Sequence, residues 1–260
     1  MHLVVSALFA EVSLCVGGAA FMGYWAWKAV PVPSEPDIEF GDSVKQVYQR
    51  PALPVESLRY SLLKRAIDIA FAMAMLSVFI IPGCLIALLI VTTSPGPVFY
   101  REKRIGRYGY LFRIWKFRSM YKNAEQRSVI SQENAGETQL FWRMRKSSSD
   151  PRITRIGHFL RKWSLDELPQ ILNILLGDMS LIGPRPIIEA EIGAYGPYIE
   201  NYVEATPGLS GLWQVSGRSN IGYHGRAELD AQYIRNWSIR QDIKILLRTV
   251  PAVLRRVGAK

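Results

Sequence analysis

Two adjacent carboxylates, Asp166 and Glu167, lie in the run Ser164–Gln170 and are the residues best suited to chemistry. Proline lacks an amide hydrogen and is tolerated in the first turn of a helix, so Pro169 predicts a helix start near residues 165–168. The unpaired amides and the positive dipole end of that helix favour ionised carboxylates. An ionised carboxylate can act as a nucleophile or as a metal ligand.

The same run also fits a purely structural role. Ser164 and Glu167 match the capping box S-x-x-E, in which a serine and a glutamate satisfy the free amides of a helix start. In that case Glu167 would take no part in chemistry. The motif leaves both interpretations open, and the surrounding residues have to decide between them.

Basic residues that could bind phosphate lie on both sides of the two carboxylates. Arg161 lies shortly before them, and Arg185 follows within Gly183–Pro186, where a proline on each side holds it in extended geometry. A pre-organised guanidinium suits bidentate binding of a phosphate group. The alternative for Arg185 is a solvent-facing arginine in a rigid turn.

Further candidates lie in residues 101–122, where eight basic residues and one acid alternate with aromatic residues. This composition is typical of a nucleic-acid surface or of a belt at a membrane surface, where cations meet lipid phosphate. The neighbouring apolar segment favours the membrane belt over nucleic acid. Within the belt, Lys116 and Arg118 could reach a substrate phosphate, and the alternative is that they form a solvated charged face.

The overall charge of the chain indicates the kind of partner it has. Of its 260 residues, 32 are lysine or arginine and 22 are acidic, which gives a net charge of +10. Such an excess indicates nucleic acid, anionic lipid or a phosphorylated substrate. A hydrophobic fraction of 49% excludes disorder as the explanation. The three histidines and the two cysteines, Cys15 and Cys84, lack metal-ligand spacing, which argues against zinc and a Ser-His-Asp triad.

One apolar segment predicts contact with a membrane. The 23 residues from Ile69 to Val91 carry no charge, and as a helix they would extend about 34 Å, enough to cross a bilayer. Pro82-Gly83 lies near the middle, and both flanks are basic, which marks the cytoplasmic side. These features predict a re-entrant helix-break-helix over residues 66–92 with both ends on the same side. The alternative is an ordinary kinked transmembrane helix.

Two segments precede the catalytic unit, which we place at residues 58–260. Residues 1–30 are predicted to form an N-terminal membrane helix, with a helix lying on the membrane surface as the alternative. Residues 31–57 contain five prolines and are predicted to be a linker.

The catalytic unit is predicted to be mainly α with a small β-hairpin, an α+β fold. The hairpin strands are expected at residues 98–100 and 111–115. Gly177 is placed to end the helix that follows Pro169. Other helices are expected around 140–142 and 159–160, around Asp230 and Tyr233 with a solvated face, and at 239–256, at the membrane interface or against the core. Residues 178–186, 206–213 and 217–220 are expected to be loops.

Taken together, these motifs resemble the monotopic polyprenyl-phosphate phosphoglycosyl transferases, also called bacterial sugar transferases. The resemblance covers about residues 60–257. The motifs that carry it are Lys64-Arg65-x-x-Asp68, Ser94-Pro95-Gly96-Pro97-Val98-Phe99, Lys116-Phe117-Arg118-Ser119-Met120, Asp150-Pro151-Arg152-Ile153-Thr154, Leu165–Gln170, Gly183-Pro184-Arg185-Pro186, Pro207-Gly208, Asp230-x-x-Tyr233 and Asn236-Trp237-Ser238 to Asp242. Ser119 replaces the usual threonine, and Glu102 stands where glutamine is commoner, so its role is open.

The resemblance implies an enzyme of the inner (cytoplasmic) membrane, its catalytic part facing the cytoplasm, that starts exopolysaccharide repeat units. It would transfer a hexose-1-phosphate from a UDP-sugar to undecaprenyl phosphate and release UMP. Asp166 would be the nucleophile and Glu167 would assist it, by orienting a metal or handling the acceptor's proton. The implied cofactor is Mg²⁺. The implied residues are Lys116, Arg118, Arg161 and Arg185 for substrate phosphate, and Asp166, Glu167 and Asp230 for the metal.

Two other classes of function compete with this enzyme. The first is a catalytically idle membrane protein whose basic belt holds anionic lipid or polymer, and the second is a soluble nucleic-acid binder. The sugar stays undetermined, with galactose and glucose favoured only by analogy. The oligomeric state is also open, a homodimer included.

Overall fold

The computed structural model of the protein describes residues 55–122, 150, 152–217 and 221–254. The predicted N-terminal membrane helix, the linker up to residue 54, the short helix around 140–142 and most of the 217–220 loop lie outside these residues. All structural statements below concern the described residues.

The described chain is mainly helical and contains two small sheets of two strands each. The helices are α1 (Val55–Thr93), α2 (Arg155–Lys162), α3 (Gln170–Leu176), α4 (Ile192–Tyr195), α5 (Ile199–Glu204), α6 (Leu212–Val215), α7 (Tyr223–Arg235) and α8 (Ile239–Leu254). The strands are β1 (Phe99–Ile105), β2 (Leu111–Phe117), β3 (Ser180–Ile182) and β4 (Gly208–Ser210). Short 3₁₀ turns span Arg107–Gly109, Leu165–Glu167, Glu189–Glu191 and Gly196–Tyr198.

Helix α1 contains the apolar segment predicted from the sequence. Residues Leu62–Thr93 are long and apolar enough to cross a membrane, and the described residues contain one helix of this kind. The helix begins inside the predicted linker and continues through Pro82, so the break predicted at Pro82-Gly83 does not interrupt it. Many of its apolar side chains, including Val78 and Ile81, are exposed. Many exposed apolar side chains along one long helix are typical of contact with lipid.

Both halves of α1 pack against the rest of the protein. In the first half, Ala72 is buried in a cluster with Ile114 of β2 and Ile174 of α3. In the second half, Ile86 and Ile90 are buried in a separate cluster. That cluster is completed by Ala87, Phe117 and Leu160. The strands and helices that follow α1 therefore contact it along both of its halves.

Strands β1 and β2 form the predicted hairpin. They pair antiparallel from Phe99 opposite Phe117 to Ile105 opposite Leu111, so each strand is longer than predicted. This pairing confirms the predicted hairpin. It could be predicted because two aromatic-rich runs flank a glycine-bounded turn, which is a local signal.

Strands β3 and β4 were not expected, since residues 178–186 and 206–213 were predicted to be loops. That prediction is wrong for Ser180–Ile182 and Gly208–Ser210, which pair parallel, and α6 also begins within the second segment. Three-residue strands are too short to show an alternating pattern. Gly183 lies beside this pair, and a Cβ atom there would come within 2.4 Å of the Thr206 carbonyl oxygen.

The helix α7 occurs where it was predicted, but its predicted solvated face is wrong. Asp230 and Tyr233 are both buried. Asp230 accepts a hydrogen bond from Tyr195, and Tyr233 donates one to Asp242. Both partners lie outside α7, so helical spacing within α7 could not indicate the burial.

Of the two alternatives given for the C-terminal segment, packing against the core is confirmed for one face of helix α8, and the membrane interface stays a prediction for the other. Ile245 is buried in the core against Tyr233, whereas Ile243, Leu247 and Val250 are exposed. One face of the helix therefore packs on the protein, and another presents apolar side chains outward.

Candidate active site

The two carboxylates lie in the 3₁₀ turn Leu165–Glu167, between helices α2 and α3. The chain enters this turn through Ser164, whose φ of 55° lies in the left-handed region. Pro169 caps the start of α3, and Gly177 ends it with a φ of 85°. The predicted end at Gly177 is confirmed. The predicted start near residues 165–168 is wrong by a few residues, because a 3₁₀ turn occupies Leu165–Glu167 and α3 begins at Gln170 with Pro169 as its N-cap. Left-handed backbone in a residue other than glycine costs free energy and is concentrated at functional sites.

The capping-box interpretation of Ser164 and Glu167 is wrong. The Ser164 side chain makes no capping hydrogen bond, because its left-handed backbone differs from the extended geometry of an N-cap residue. The Glu167 side chain is occupied elsewhere, by two cations from other parts of the chain.

Glu167 is held by Lys116 of β2 and by Arg185 of the loop after β3. Lys116 Nζ donates to Glu167 Oε1 over 3.1 Å, and Arg185 Nη1 donates to the same oxygen over 3.3 Å. Burial alone would raise the pKa of Glu167, but the two cations outweigh it and hold that pKa well below its ordinary value. Glu167 is therefore an ionised carboxylate that fixes two cations beside Asp166.

Asp166 is buried, with 9% of its surface exposed. Within the described part of the chain, no group donates a hydrogen bond to its carboxylate. Burial and then the negative charge of Glu167 raise the pKa of Asp166, while Lys116, Arg161 and Arg185 oppose the rise. The carboxylate thus stands among three cations with its oxygen atoms uncommitted, which suits a nucleophile.

Arg161 lies on α2, near the same site. Its Nε donates to the Ser119 hydroxyl over 2.9 Å, and its charge acts on Asp166. The structure therefore brings together five of the predicted site residues: Lys116, Arg161, Asp166, Glu167 and Arg185.

Arg118 points away from this group, towards the C-terminal end of α1. Its Nη1 donates to the Pro95 carbonyl over 2.7 Å, and its Nη2 donates to the carbonyl and hydroxyl of Ser94 over 2.6 and 2.8 Å. Helix ends leave carbonyl groups without partners, and a guanidinium can satisfy several of them. This geometry favours a structural role for Arg118, in place of the predicted phosphate contact or solvated face.

Asp230 belongs to a separate buried cluster. Its Oδ2 accepts a hydrogen bond from the Tyr195 hydroxyl over 2.8 Å and lies 3.8 Å from Arg226 Nε. Burial raises the pKa of Asp230 to about 6, although Arg226 and Tyr195 act in the opposite direction. The structure therefore places Asp230 with Arg226 and Tyr195.

Comparison with known proteins decides the family. The family model described as bacterial sugar transferase matches residues 59–256. The chain belongs to the bacterial sugar transferase family.

Three relatives illustrate the range of this family. The chain is 43% identical over 200 residues to the UDP-galactose-lipid carrier transferase of Erwinia amylovora, a match that covers 76% of this chain and 41% of that protein. It is 39% identical over 218 residues to the UDP-glucose:undecaprenyl-phosphate glucose-1-phosphate transferase of Escherichia coli, covering 81% and 43%. It is 42% identical over 194 residues to the exopolysaccharide production protein ExoY of Sinorhizobium fredii, covering 73% and 84%. The chain thus spans about two fifths of the length of the first two relatives.

The magnesium ion implied for a sugar transferase of this kind needs oxygen ligands. Mg²⁺ is commonly held by one or two carboxylates together with substrate phosphates. The Asp166 carboxylate and Glu167 Oε2 fit this role, because neither accepts a hydrogen bond within the described residues. No group of three or more acidic, histidine or cysteine side chains that could hold a metal occurs in the described ranges. The predicted ligand Asp230 is therefore not grouped with the other two, and its metal role stays a prediction.

Asn173, which was not predicted from the sequence, attaches α3 to β2. Its Oδ1 accepts from the Trp115 amide and its Nδ2 donates to the Arg113 carbonyl, each over 2.9 Å. The side chain is fully buried. This attachment fixes the strand that carries Lys116 against the helix that follows Asp166. The sequence did contain a signal for this contact, because an asparagine among the apolar residues of a buried helix needs hydrogen-bond partners from elsewhere in the fold.

Proposed function

We propose that this chain transfers a hexose-1-phosphate from a UDP-sugar to undecaprenyl phosphate, releases UMP, and so starts the assembly of an exopolysaccharide. The observation that carries the proposal is the uncommitted, buried Asp166 carboxylate beside a glutamate that holds two cations. The names of the relatives support the same class of donor and acceptor. They also make UDP-galactose and UDP-glucose the donors to test first.

The proposed first step forms a bond between an Asp166 carboxylate oxygen and the phosphorus that bears the sugar. The bond from that phosphorus to the bridging oxygen breaks, and the oxygen leaves with UMP. In the second step a phosphate oxygen of undecaprenyl phosphate attacks the same phosphorus and releases the Asp166 carboxylate. The product is the sugar diphosphate of undecaprenol, so both atoms and charge balance over the two steps.

Lys116, Arg161 and Arg185 would compensate the negative charge of the donor diphosphate during both steps. Their charges already act on Asp166. A carboxylate and a diphosphate repel each other, so their approach requires pre-organised positive charge. When bound, magnesium held by Asp166 and Glu167 would add Lewis-acid neutralisation of the phosphate oxygens. Glu167 would keep Lys116 and Arg185 in place throughout.

A re-entrant path for α1 at the cytoplasmic face of the inner membrane completes the proposal. It is supported by contacts on both sides of the uncharged segment Ile69–Val91. Before the segment, Asp68 accepts a hydrogen bond from the Leu181 amide over 2.9 Å, and after it Arg118 binds Ser94. An apolar segment that is attached at both ends to the same folded part of the chain is more easily accommodated if both ends lie on one side of the bilayer.

Cysteine labelling tests this topology. In a chain with Cys15 and Cys84 replaced by serine, single cysteines at the exposed positions Leu63 and Lys103 should react with an impermeant maleimide from the cytoplasmic side only. Labelling of the two positions from opposite sides would show a full crossing and reject the re-entrant path.

The substitution Asp166→Asn tests the chemistry. It keeps the shape of the side chain but removes the charge, and we expect UMP release to fall by about 10³-fold or more. Glu228→Gln, which removes an exposed carboxylate of α7, is the control and should retain wild-type turnover. A donor labelled in its sugar, given without acceptor, should leave label on the wild-type chain but not on Asp166→Asn. Equal turnover in Asp166→Asn would reject the nucleophile.

A further inference from the structure

The loop that presents Arg185 is held by three consecutive backbone carbonyls. Those of Pro184, Arg185 and Pro186 each accept a hydrogen bond from a different element. The donors are the Gly208 amide of β4 over 2.8 Å, Arg226 Nη2 of α7 over 2.9 Å and Arg104 Nη1 of β1 over 3.1 Å. The two prolines have no amide hydrogen with which to join a ladder, so carbonyl contacts of this kind fix the loop.

Of these three donors, Arg226 acts on the carbonyl of Arg185 itself. The Arg226 side chain is 6% exposed, and it lies between two acidic side chains. Its Nη1 lies 3.7 Å from Glu191 Oε1, and its Nε lies 3.8 Å from Asp230 Oδ2. Both acids are themselves buried.

The acids in turn are fixed by neighbouring groups. Glu191 Oε2 accepts from the Ile188 amide over 3.1 Å, and Asp230 accepts from the Tyr195 hydroxyl. The guanidinium of Arg226 also lies 5.0 Å from the centre of the Trp213 ring. Arg226 therefore has little freedom to move.

Burying charged groups costs desolvation free energy that their attraction only partly offsets, so a buried ion pair adds little to the stability of a fold. The burial of Arg226 with two acids therefore needs another explanation. Here the cluster directs one guanidinium nitrogen at the backbone of the residue whose side chain binds Glu167. We propose that Arg226, held by Glu191 and Asp230, is a positioning residue that sets Arg185 against Glu167 beside the nucleophile. This inference rests on the proposed function for its effect on turnover, but not for its effect on the loop.

The substitution Arg226→Lys keeps the charge but loses the planar guanidinium, whose three nitrogens face Glu191, Asp230 and the Arg185 carbonyl. We expect it to lower kcat for UMP release by about 10- to 100-fold, because a small misplacement of a charge-compensating group is sufficient for such a loss. The KM for the UDP-sugar should change less than kcat. Glu228→Gln on the same helix is the matched control and should keep wild-type kcat.

A double-mutant cycle separates positioning from a general structural role. If Arg226 acts through Arg185, adding Arg226→Lys to a chain that already carries Arg185→Met should change the remaining rate by less than about twofold. An equal loss of rate with and without Arg185 would overturn the proposal.

The variant Asp230→Asn tests whether Asp230 holds Arg226 or binds the metal. It also replaces Arg226→Lys as the test if that variant does not fold. It keeps the acceptor for Tyr195 but removes a charge that holds Arg226. We expect a lower kcat at saturating magnesium with no change in the magnesium concentration that gives half-maximal rate. A large increase in that concentration would instead assign Asp230 to the metal and overturn its place in this cluster.

Hydrogen exchange provides a measurement that does not depend on activity. Peptides covering residues 178–190 should take up deuterium faster in Arg226→Lys than in wild type or Glu228→Gln. Unchanged exchange would overturn the positioning role. If the wild-type chain were inactive with every UDP-sugar while this exchange still increased, the proposed function would fail and the positioning role would stand.

Discussion

Replacing Arg118 by methionine distinguishes its two candidate roles, a contact to substrate phosphate and the attachment of α1 to β2. The guanidinium is 6% exposed and donates to the Pro95 carbonyl and to both oxygens of Ser94 over 2.6–2.8 Å. Methionine fills similar space without any donor. If the attachment is the role, the variant should lose stability first and activity only as a consequence.

The expected loss follows from those three hydrogen bonds. A hydrogen bond from a charged donor contributes about 1.5–3 kcal/mol. The three share one side chain and are not additive, so we expect the free energy of unfolding to fall by about 3–5 kcal/mol. For a unit of this size each kcal/mol lowers Tm by about 2–4 °C, which gives a decrease of about 6–20 °C.

The assay is thermal unfolding of the detergent-solubilised protein, followed by tryptophan fluorescence. Arg113→Met is the control, since Arg113 is exposed on β2, the strand that ends just before Arg118, and it should change stability by less than about 0.5 kcal/mol. UMP release is then measured for both variants well below the lower Tm. If Arg118→Met has the same Tm as the control but loses turnover, Arg118 binds substrate and the structural explanation is wrong.

Gly96→Ala provides an independent test of the same attachment, because it keeps the arginine. Gly96 has a φ of +129°, and a Cβ atom there would come within 1.9 Å of Arg118 Nη1. Alanine would therefore both strain the backbone and displace the guanidinium. We expect a decrease in Tm comparable to that of Arg118→Met, and a wild-type Tm would contradict the contact.

Three further predictions concern the site. Asn173→Leu removes the buried amide that binds the backbone of β2 at Trp115 and Arg113; leaving those groups unpaired should cost about 2–4 kcal/mol in thermal unfolding, and an unchanged Tm would contradict it. Chelation of divalent cations should abolish UMP release and added magnesium should restore it, whereas full activity in the chelator would exclude the metal. Because burial and the charge of Glu167 raise the pKa of Asp166 above 3.8, kcat/KM should fall as pH falls through that raised pKa. Glu167→Gln removes the like charge, so the acid limb of its pH profile should move to lower pH; a move to higher pH would contradict the assignment.

The parts of the fold that the sequence could predict are those with local signals. Pro169 and Gly177 mark the two ends of α3 through backbone restrictions that act within one or two residues. The hairpin was likewise indicated by two aromatic-rich runs around a turn. Within the site, the sequence predicted that acidic and basic residues converge, but it did not predict that Glu167 pairs with Lys116 and Arg185.

The parts that could not be predicted depend on contacts between distant residues. Strand β3 is defined by its pairing with β4, which no short-range pattern of Ser180–Ile182 reveals. Asp230 can be buried because its carboxylate accepts a hydrogen bond from Tyr195 and lies beside the guanidinium of Arg226. A polar residue at helical spacing has no local feature that distinguishes such burial from exposure to water.

Lys116 and Arg118 show how closely spaced residues of one motif can act on different parts of the molecule. Lys116 binds Glu167, whereas Arg118 binds the end of α1, so this short stretch joins the carboxylate pair to the membrane-type helix. A second connection lies before the uncharged segment of α1, where Arg65 donates to the Ile174 and Leu175 carbonyls over 2.6 and 2.9 Å. Those carbonyls end the helix that begins just after the pair. The position of Asp166 and Glu167 relative to α1 is thus fixed by an arginine contact on each side of that segment, and not by apolar packing alone.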